Sequence, residues 1–150
     1  MKQIARRTFT ARSSELQHIR SMIRCACSTL GYTQTDCNRV ALAVDEACTN
    51  VIRHGYVERA DGLLEVALGC DHHDVIIHVR DEAPALATPV ASTPAPAEAD
   101  DSSASDLPVA GGLGLILMRI VMSEVVFTTP ASGGNLLELR KPLPHATSGD

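Results

Sequence analysis

The sequence predicts an α+β domain: a two-layer α/β sandwich with a mainly antiparallel sheet, helices on one face and a long lid loop. Three observations carry that expectation. Two pairs of strand-like runs are joined by hairpin-length connections, at 70–73 and 130–134, and hairpins make antiparallel neighbours. Two stretches in the first third carry apolar residues three and four apart, the period of an amphipathic helix. Between the strand pairs, residues 82–110 hold almost nothing large and apolar, so they add nothing to a packed core. Helices segregated from strand pairs cover one side of a single sheet.

Residues 2–9 read as a strand, although their alternation is poor. Residues 12–30 place Leu16, Ile19, Met22, Ile23, Ala26 and Leu30 on one helical face, and Gly31 stops the helix. Thr33 or Thr35 caps the next helix, whose face is Val40, Ala43, Val44, Ala47, Val51 and Ile52. That helix runs to His54 and ends at Gly55. Residues 63–69 and 74–80 are the first strand pair. Residues 82–110 contain Pro84, Pro89, Pro94, Pro96 and Pro108, and their place between a strand end and a glycine turn favours a lid. Gly111-Gly112-Leu113-Gly114 is that turn, and a helix over 115–122 follows it. Strands at 124–129 and 135–140 complete a domain of residues 1–141, with a flexible tail at 142–150.

At 150 residues the chain has the length of one domain, and its 45% apolar content is enough for a core without staples. A formal net charge of −5 disfavours direct nucleic-acid binding, which wants a basic face. There is no apolar run of the roughly 18 residues that span a bilayer, and no membrane contact is expected. The first residues are basic, but no apolar h-region follows them. The five cysteines are an odd set, partly on apolar helical faces, which points to reduced thiols and a cytoplasmic setting.

Glu46, Asn50 and His54 are four apart, so on a helix they share one stripe. A solvated polar face would show the same spacing. In apolar company, however, a carboxylate and a carboxamide need partners, and an Asn or Glu oxygen with phosphate oxygens suffices for Mg²⁺. Asp81 ends a strand. A carboxylate there is either a turn residue or an acceptor for an amino group such as that of adenine. Gly111, Gly112 and Gly114 open a helix. They form either a plain turn or a place where backbone N–H groups approach phosphate closely. Neither a P-loop nor a dinucleotide fingerprint is present. Cys70, His72 and His73 match no closed zinc pattern, Cys25 and Cys27 point to different helical faces, and no nucleophile elbow accompanies Ser14 or Ser28.

The order of these features is more telling than any one of them. Ala43-Val44-Asp45-Glu46-Ala47-Cys48-Thr49-Asn50-Val51-Ile52-Arg53-His54-Gly55-Tyr56 closely resembles the N-box of the anti-sigma-factor serine kinases. These are Bergerat-fold (GHKL) ATPases, as are histidine kinases, gyrases and MutL proteins. The resemblance continues through Asp81, Gly112-Leu113-Gly114-Leu115 and Gly133-Gly134, across roughly residues 5–141. It implies ATP and Mg²⁺ as cofactors. Asn50 would hold the metal and Glu46 would be the general base. Asp81 and Ala83 would stand at the adenine, and Gly112, Leu113 and Gly114 at the phosphates under the lid. The implied partners are an STAS-domain anti-anti-sigma protein as substrate, a sigma factor, and a second copy in a homodimer.

Two positions depart from the family pattern. The family has glycine where this chain has Ala83, and often threonine where it has Asn135. A Cβ at 83 is expected to crowd the adenine, or to strain the turn should φ be positive. Two functions therefore stand side by side: a protein serine/threonine kinase, or a non-catalytic partner-binding switch with weakened or lost ATP binding. A complete histidine kinase is disfavoured, because no phosphoacceptor helical hairpin fits in this length.

Overall fold

Strand β1 (Lys2–Thr10) is the edge of a five-stranded sheet and pairs with β2 (Leu63–Cys70) alone. Its poor alternation has a physical cause. Lys2, Gln3, Arg6, Arg7 and Thr8 are exposed, and within the strand only Phe9 is buried. The computed structural model describes residues 1–56, 61–84 and 109–144, with side chains from Gly114 onward in the last segment. The expected lid at 82–110 therefore lies outside the described residues, apart from its two ends.

A short 3₁₀ turn (Ser13–Glu15) leads into α1 (Leu16–Thr29), which buries Ile19, Ile23, Ala26 and Cys27. Gly31, at φ 96°, ends it. Its N–H reaches Ser28 C=O at 3.0 Å and the Tyr32 N–H reaches Cys27 C=O at 3.2 Å, the paired bonds of a Schellman stop. Thr33 caps α2 (Gln34–Asn50) by accepting from the Asp36 N–H at 3.1 Å. Helix α2 buries a face of Cys37, Val40, Ala41, Ala43, Val44, Ala47 and Cys48. Small residues there let neighbouring helices approach, and Arg20 of α1 pairs with Asp45.

After Asn50 the chain does not simply stop at a glycine. Val51–Gly55 widen into a π turn, closed by the Tyr56 N–H on Val51 C=O at 2.8 Å. Such turns interrupt the 3.6-residue period and are frequent at functional sites.

β2 and β3 (Asp74–Asp81) form the first hairpin. In its turn, Asp71 Oδ1 accepts the N–H groups of His73 and Asp74, both at 2.7 Å. Helix α3 (Val109–Val121) starts earlier than expected. Gly111, Gly112, Leu113 and Gly114 lie inside it rather than in a turn ahead of it. Glycine lowers helix stability by about 1 kcal/mol each but still donates its N–H, and no proline interrupts 109–121. β4 (Glu124–Thr128) and β5 (Asn135–Pro142) form the second hairpin. β5 extends into the expected tail, and the Leu143 N–H still bonds His73 C=O at 2.8 Å.

The strand order is β1-β2-β3-β5-β4, with every neighbouring pair antiparallel. The α+β sandwich is as expected. Its core is Leu64, Val66 and Leu68 of β2, Val75, Ile77 and Val79 of β3, and Leu137 and Leu139 of β5, against Ile19, Ile23, Val40, Val44 and Met118 of the helices. All five cysteines are free thiols. Burial beside Cys37 pushes the Cys27 thiol up to about 12, so it stays protonated and inert. Among the described residues no helix is long and apolar enough to cross a membrane.

Candidate functional site

The insertion of β5 between β3 and β4 determines where the site forms. The β3–β5 register sets Asp81, the last residue of β3, opposite Asn135, the first of β5. Two glycines allow this approach. Gly133 and Gly134 have φ of 97° and 75°, a region that side chains with a Cβ rarely adopt. A Cβ on Gly134 would lie 2.2 Å from Asp81 C=O.

Asp81 and Asn135 are the buried polar residues of the described core, at 5% and 8% exposure. Asp81 Oδ1 accepts from Asn135 Nδ2 at 2.9 Å and from the Ala83 N–H at 2.9 Å. Asn135 Nδ2 also approaches Pro84 C=O at 3.3 Å and Ala83 C=O at 3.4 Å. Burial raises the Asp81 carboxyl above its ordinary range, and these two donors offset part of the rise.

Beside this pair lies a recess lined by Ala47, Asn50, Val51 and Gly55 of α2 and the π turn, and by Val79, Asp81, Phe127, Asn135 and Leu137 of the sheet. Its walls are apolar, with three polar side chains converging, which is the usual character of a small-molecule site. Its volume is about 30 Å³. That is room for a few waters.

The other residues expected at the site have different places. Glu46 is half-buried one helical turn before Asn50, and it faces α3 rather than the recess wall. A Cβ on Gly114 would lie 2.9 Å from Glu46 Oε2, so the absence of a side chain at 114 is what lets α3 meet the carboxylate. His54 lies in the π turn and is exposed. Gly112 and Leu113 lie in the first turns of α3.

Ala83, expected to crowd the adenine, has a distinct setting. Its methyl is buried with Ala11, Ile52 and Tyr56 and is not on the recess wall. Gly55 makes space for it: a Cβ there would come within 3.2 Å of the Ala83 Cβ. Ala83 serves the site through its backbone, by donating to Asp81 and offering its carbonyl to Asn135.

Sequence reasoning met Asn135 only as the residue standing where the family often has threonine, and did not place Tyr56 or Phe127 at the site. Asn135 had a signal, since it follows two glycines at a strand entry. Phe127 had none, because strand alternation does not say which end of a strand meets a ligand. Among the described residues no three His, Cys, Asp or Glu side chains converge on a metal position.

A family model for the histidine kinase-like ATPase domain matches residues 9–141. The chain belongs to the histidine kinase-like ATPase family. Within it, the chain is 31% identical to the anti-sigma F factor of Heyndrickxia coagulans over 146 residues, 95% of each chain. It is 30% identical over 107 residues to the serine-protein kinase RsbW of Bacillus subtilis (strain 168), covering 71% of this chain and 66% of that one. The resemblance to the anti-sigma-factor serine kinases read from the N-box is thus borne out. Among solved structures, the RsbU and RsbW domains of Rv1364c from Mycobacterium tuberculosis match with a TM-score of 0.61 at 18% identity over 93% of this chain, which spans 33% of that chain. Identity this low supports the fold alone. For this family member, the end of the N-box and the β3 carboxylate share one recess.

Proposed function

We propose that the chain is an ATP-dependent serine/threonine protein kinase and anti-sigma-type regulator. Its substrate would be an STAS-domain partner in a cytoplasmic partner-switching pathway, with a sigma factor as second partner and a homodimer as the working form. One observation carries the reading: Asn50 and Asp81, far apart in sequence, line the same recess, while Glu46 stands one turn away against α3.

The residues present fit Mg-ATP. A buried carboxylate at the back of an apolar slot suits an exocyclic amine. Both described bonds to Asp81 fall on Oδ1, and Oδ2 is the acceptor offered to the amine. Asn50 supplies a carboxamide oxygen of the kind Mg²⁺ accepts. α3 starts at Val109, so the free N–H groups that favour an anion belong to its first turn, 109–111. Gly112, Leu113 and Gly114 would stand beside the phosphates with their own N–H groups bonded within the helix. When bound, Mg-ATP supplies the transferable phosphoryl group. Glu46, set away from the adenine end, would take the proton from the attacking hydroxyl. Catalysis of this kind is mostly positioning and charge neutralisation.

The names of the relatives support the partners, since one is an anti-sigma F factor and another a serine-protein kinase. The departures from the family pattern at Ala83 and Asn135 favour the alternative, a non-catalytic partner-binding switch. Calorimetry with Mg-ATP separates the two, followed by radiolabelled transfer to an STAS-domain substrate. Micromolar to sub-millimolar binding with labelled substrate is expected. Absence of binding at millimolar ATP would establish the switch reading instead.

A further inference from the structure

Tyr56 ends the π turn, and its side chain is buried. Its ring lies over Gly62, where a Cβ would come within 2.6 Å of ring atoms. The β2–β3 ladder ends at the pair Leu64 and Asp81. One step beyond, the phenol stands between the two chains. The Glu82 N–H donates to its oxygen at 2.8 Å, and its own O–H donates to Leu63 C=O at 2.7 Å. One hydroxyl thus ties the end of the N-box segment to both chains beside Asp81. The adjacent N–H, that of Ala83, is the one that holds the Asp81 carboxylate.

We infer that Tyr56 is a positioning residue for the nucleotide site. Its hydroxyl fixes Glu82, which keeps the Ala83 N–H aimed at Asp81 Oδ1 and so sets the angle at which Asp81 meets the base. Because Val51 and Gly55 of the same π turn line the recess, the phenol also keeps that wall in register with Asp81. A tyrosine buried only for its ring would need a partner for its hydroxyl anywhere nearby. Here both bonds fall on backbone flanking the functional carboxylate. The inference rests on the ATP reading above and adds a residue to it.

The test titrates Mg-ATP by calorimetry into wild type, Tyr56→Phe and Tyr56→Leu, and follows transfer to the protein substrate as ATP is varied. Tyr56→Phe keeps the ring over Gly62 and removes only the hydroxyl. It is expected to melt cooperatively, to raise both Kd and KM for ATP about fivefold, the worth of one neutral hydrogen bond, and to leave kcat unchanged at saturation. Wild-type affinity in Tyr56→Phe, with a loss only in Tyr56→Leu, assigns the effect to ring packing and overturns the inference. So does a fall in kcat as large as the rise in KM. If wild type itself binds no Mg-ATP, the ATP reading fails and this inference falls with it. Should Tyr56→Phe not fold, hydrogen exchange of the Glu82 amide in wild type decides. Stronger protection with Mg-ATP supports the inference, and unchanged protection overturns it.

Discussion

Asn135 Nδ2 lies 2.9 Å from Asp81 Oδ1, across the rung where β5 begins and β3 ends. The contact holds a carboxylate in place inside an apolar wall, where burial raises its pKa. A raised carboxyl favours the protonated form in the fold. The sign follows: ionised Asp81 lowers folding stability above its folded pKa, and the penalty vanishes below the ordinary Asp value of about 3.9, where both states are protonated.

Asp81→Asn should therefore be at least as stable as wild type at pH 7, because an amide oxygen still accepts from Ala83 and Asn135 without a buried charge. The advantage should shrink as pH falls toward the carboxylate range. Mg-ATP should no longer raise its melting temperature. Urea unfolding at several pH values, with and without nucleotide, checks both halves. A variant less stable at pH 7 than at pH 4, relative to wild type, would reverse the sign.

Asn50→Ala and Glu46→Ala should fail in different ways. Loss of Asn50 should weaken Mg-dependent ATP binding, and transfer should fall with it. Loss of Glu46 should leave binding nearly intact and lower transfer about 10²–10⁴-fold, the usual contribution of a positioned base. Calorimetry and labelled transfer on both variants check this. Equal losses of ATP affinity would make Glu46 a binding residue.

Ala83→Gly tests whether the family's glycine matters here. The Ala83 methyl packs with Ile52 and Tyr56 rather than on the recess wall. ATP affinity should change less than about twofold, while stability should fall by roughly 1 kcal/mol for one buried methyl and the added backbone freedom. A large gain in affinity on thermal-shift titration would mean that the methyl obstructs the base after all.

Gly114→Ala puts a Cβ 2.9 Å from Glu46 Oε2. The carboxylate is the end of a flexible side chain and can swing away. Helix propensity gains about 1 kcal/mol, so stability should hold or rise slightly. Transfer at saturating Mg-ATP should nevertheless drop at least about tenfold, in line with the role of a displaced base. Full transfer activity would show that the approach of α3 to Glu46 has no part in the reaction.

Most of the elements were legible because their causes are local. The 3.6-residue period defined α1 and α2, and the capping chemistry of Thr33 and Gly31 set the junction between them. Hairpin-length turns identified the antiparallel pairs. Glu46 and Asn50 were legible as a pair because one helix fixes their spacing. The early start of α3 was not, because glycine propensity says what a helix costs and not whether packing against α2 overcomes that cost. Nor was the π turn, since nothing local distinguishes Val51–Gly55 from one more α turn.

The chain by itself determined the elements, their antiparallel pairing within each hairpin and the residues able to carry the chemistry. It did not determine which hairpin lies beside which. Periodicity reports the apolar face of an element and is blind to its neighbour. Only the folded sheet, burying β5 between β3 and β4, brought Asn135 to Asp81, put Asn50 in the same recess and turned the Ala83 methyl away from it.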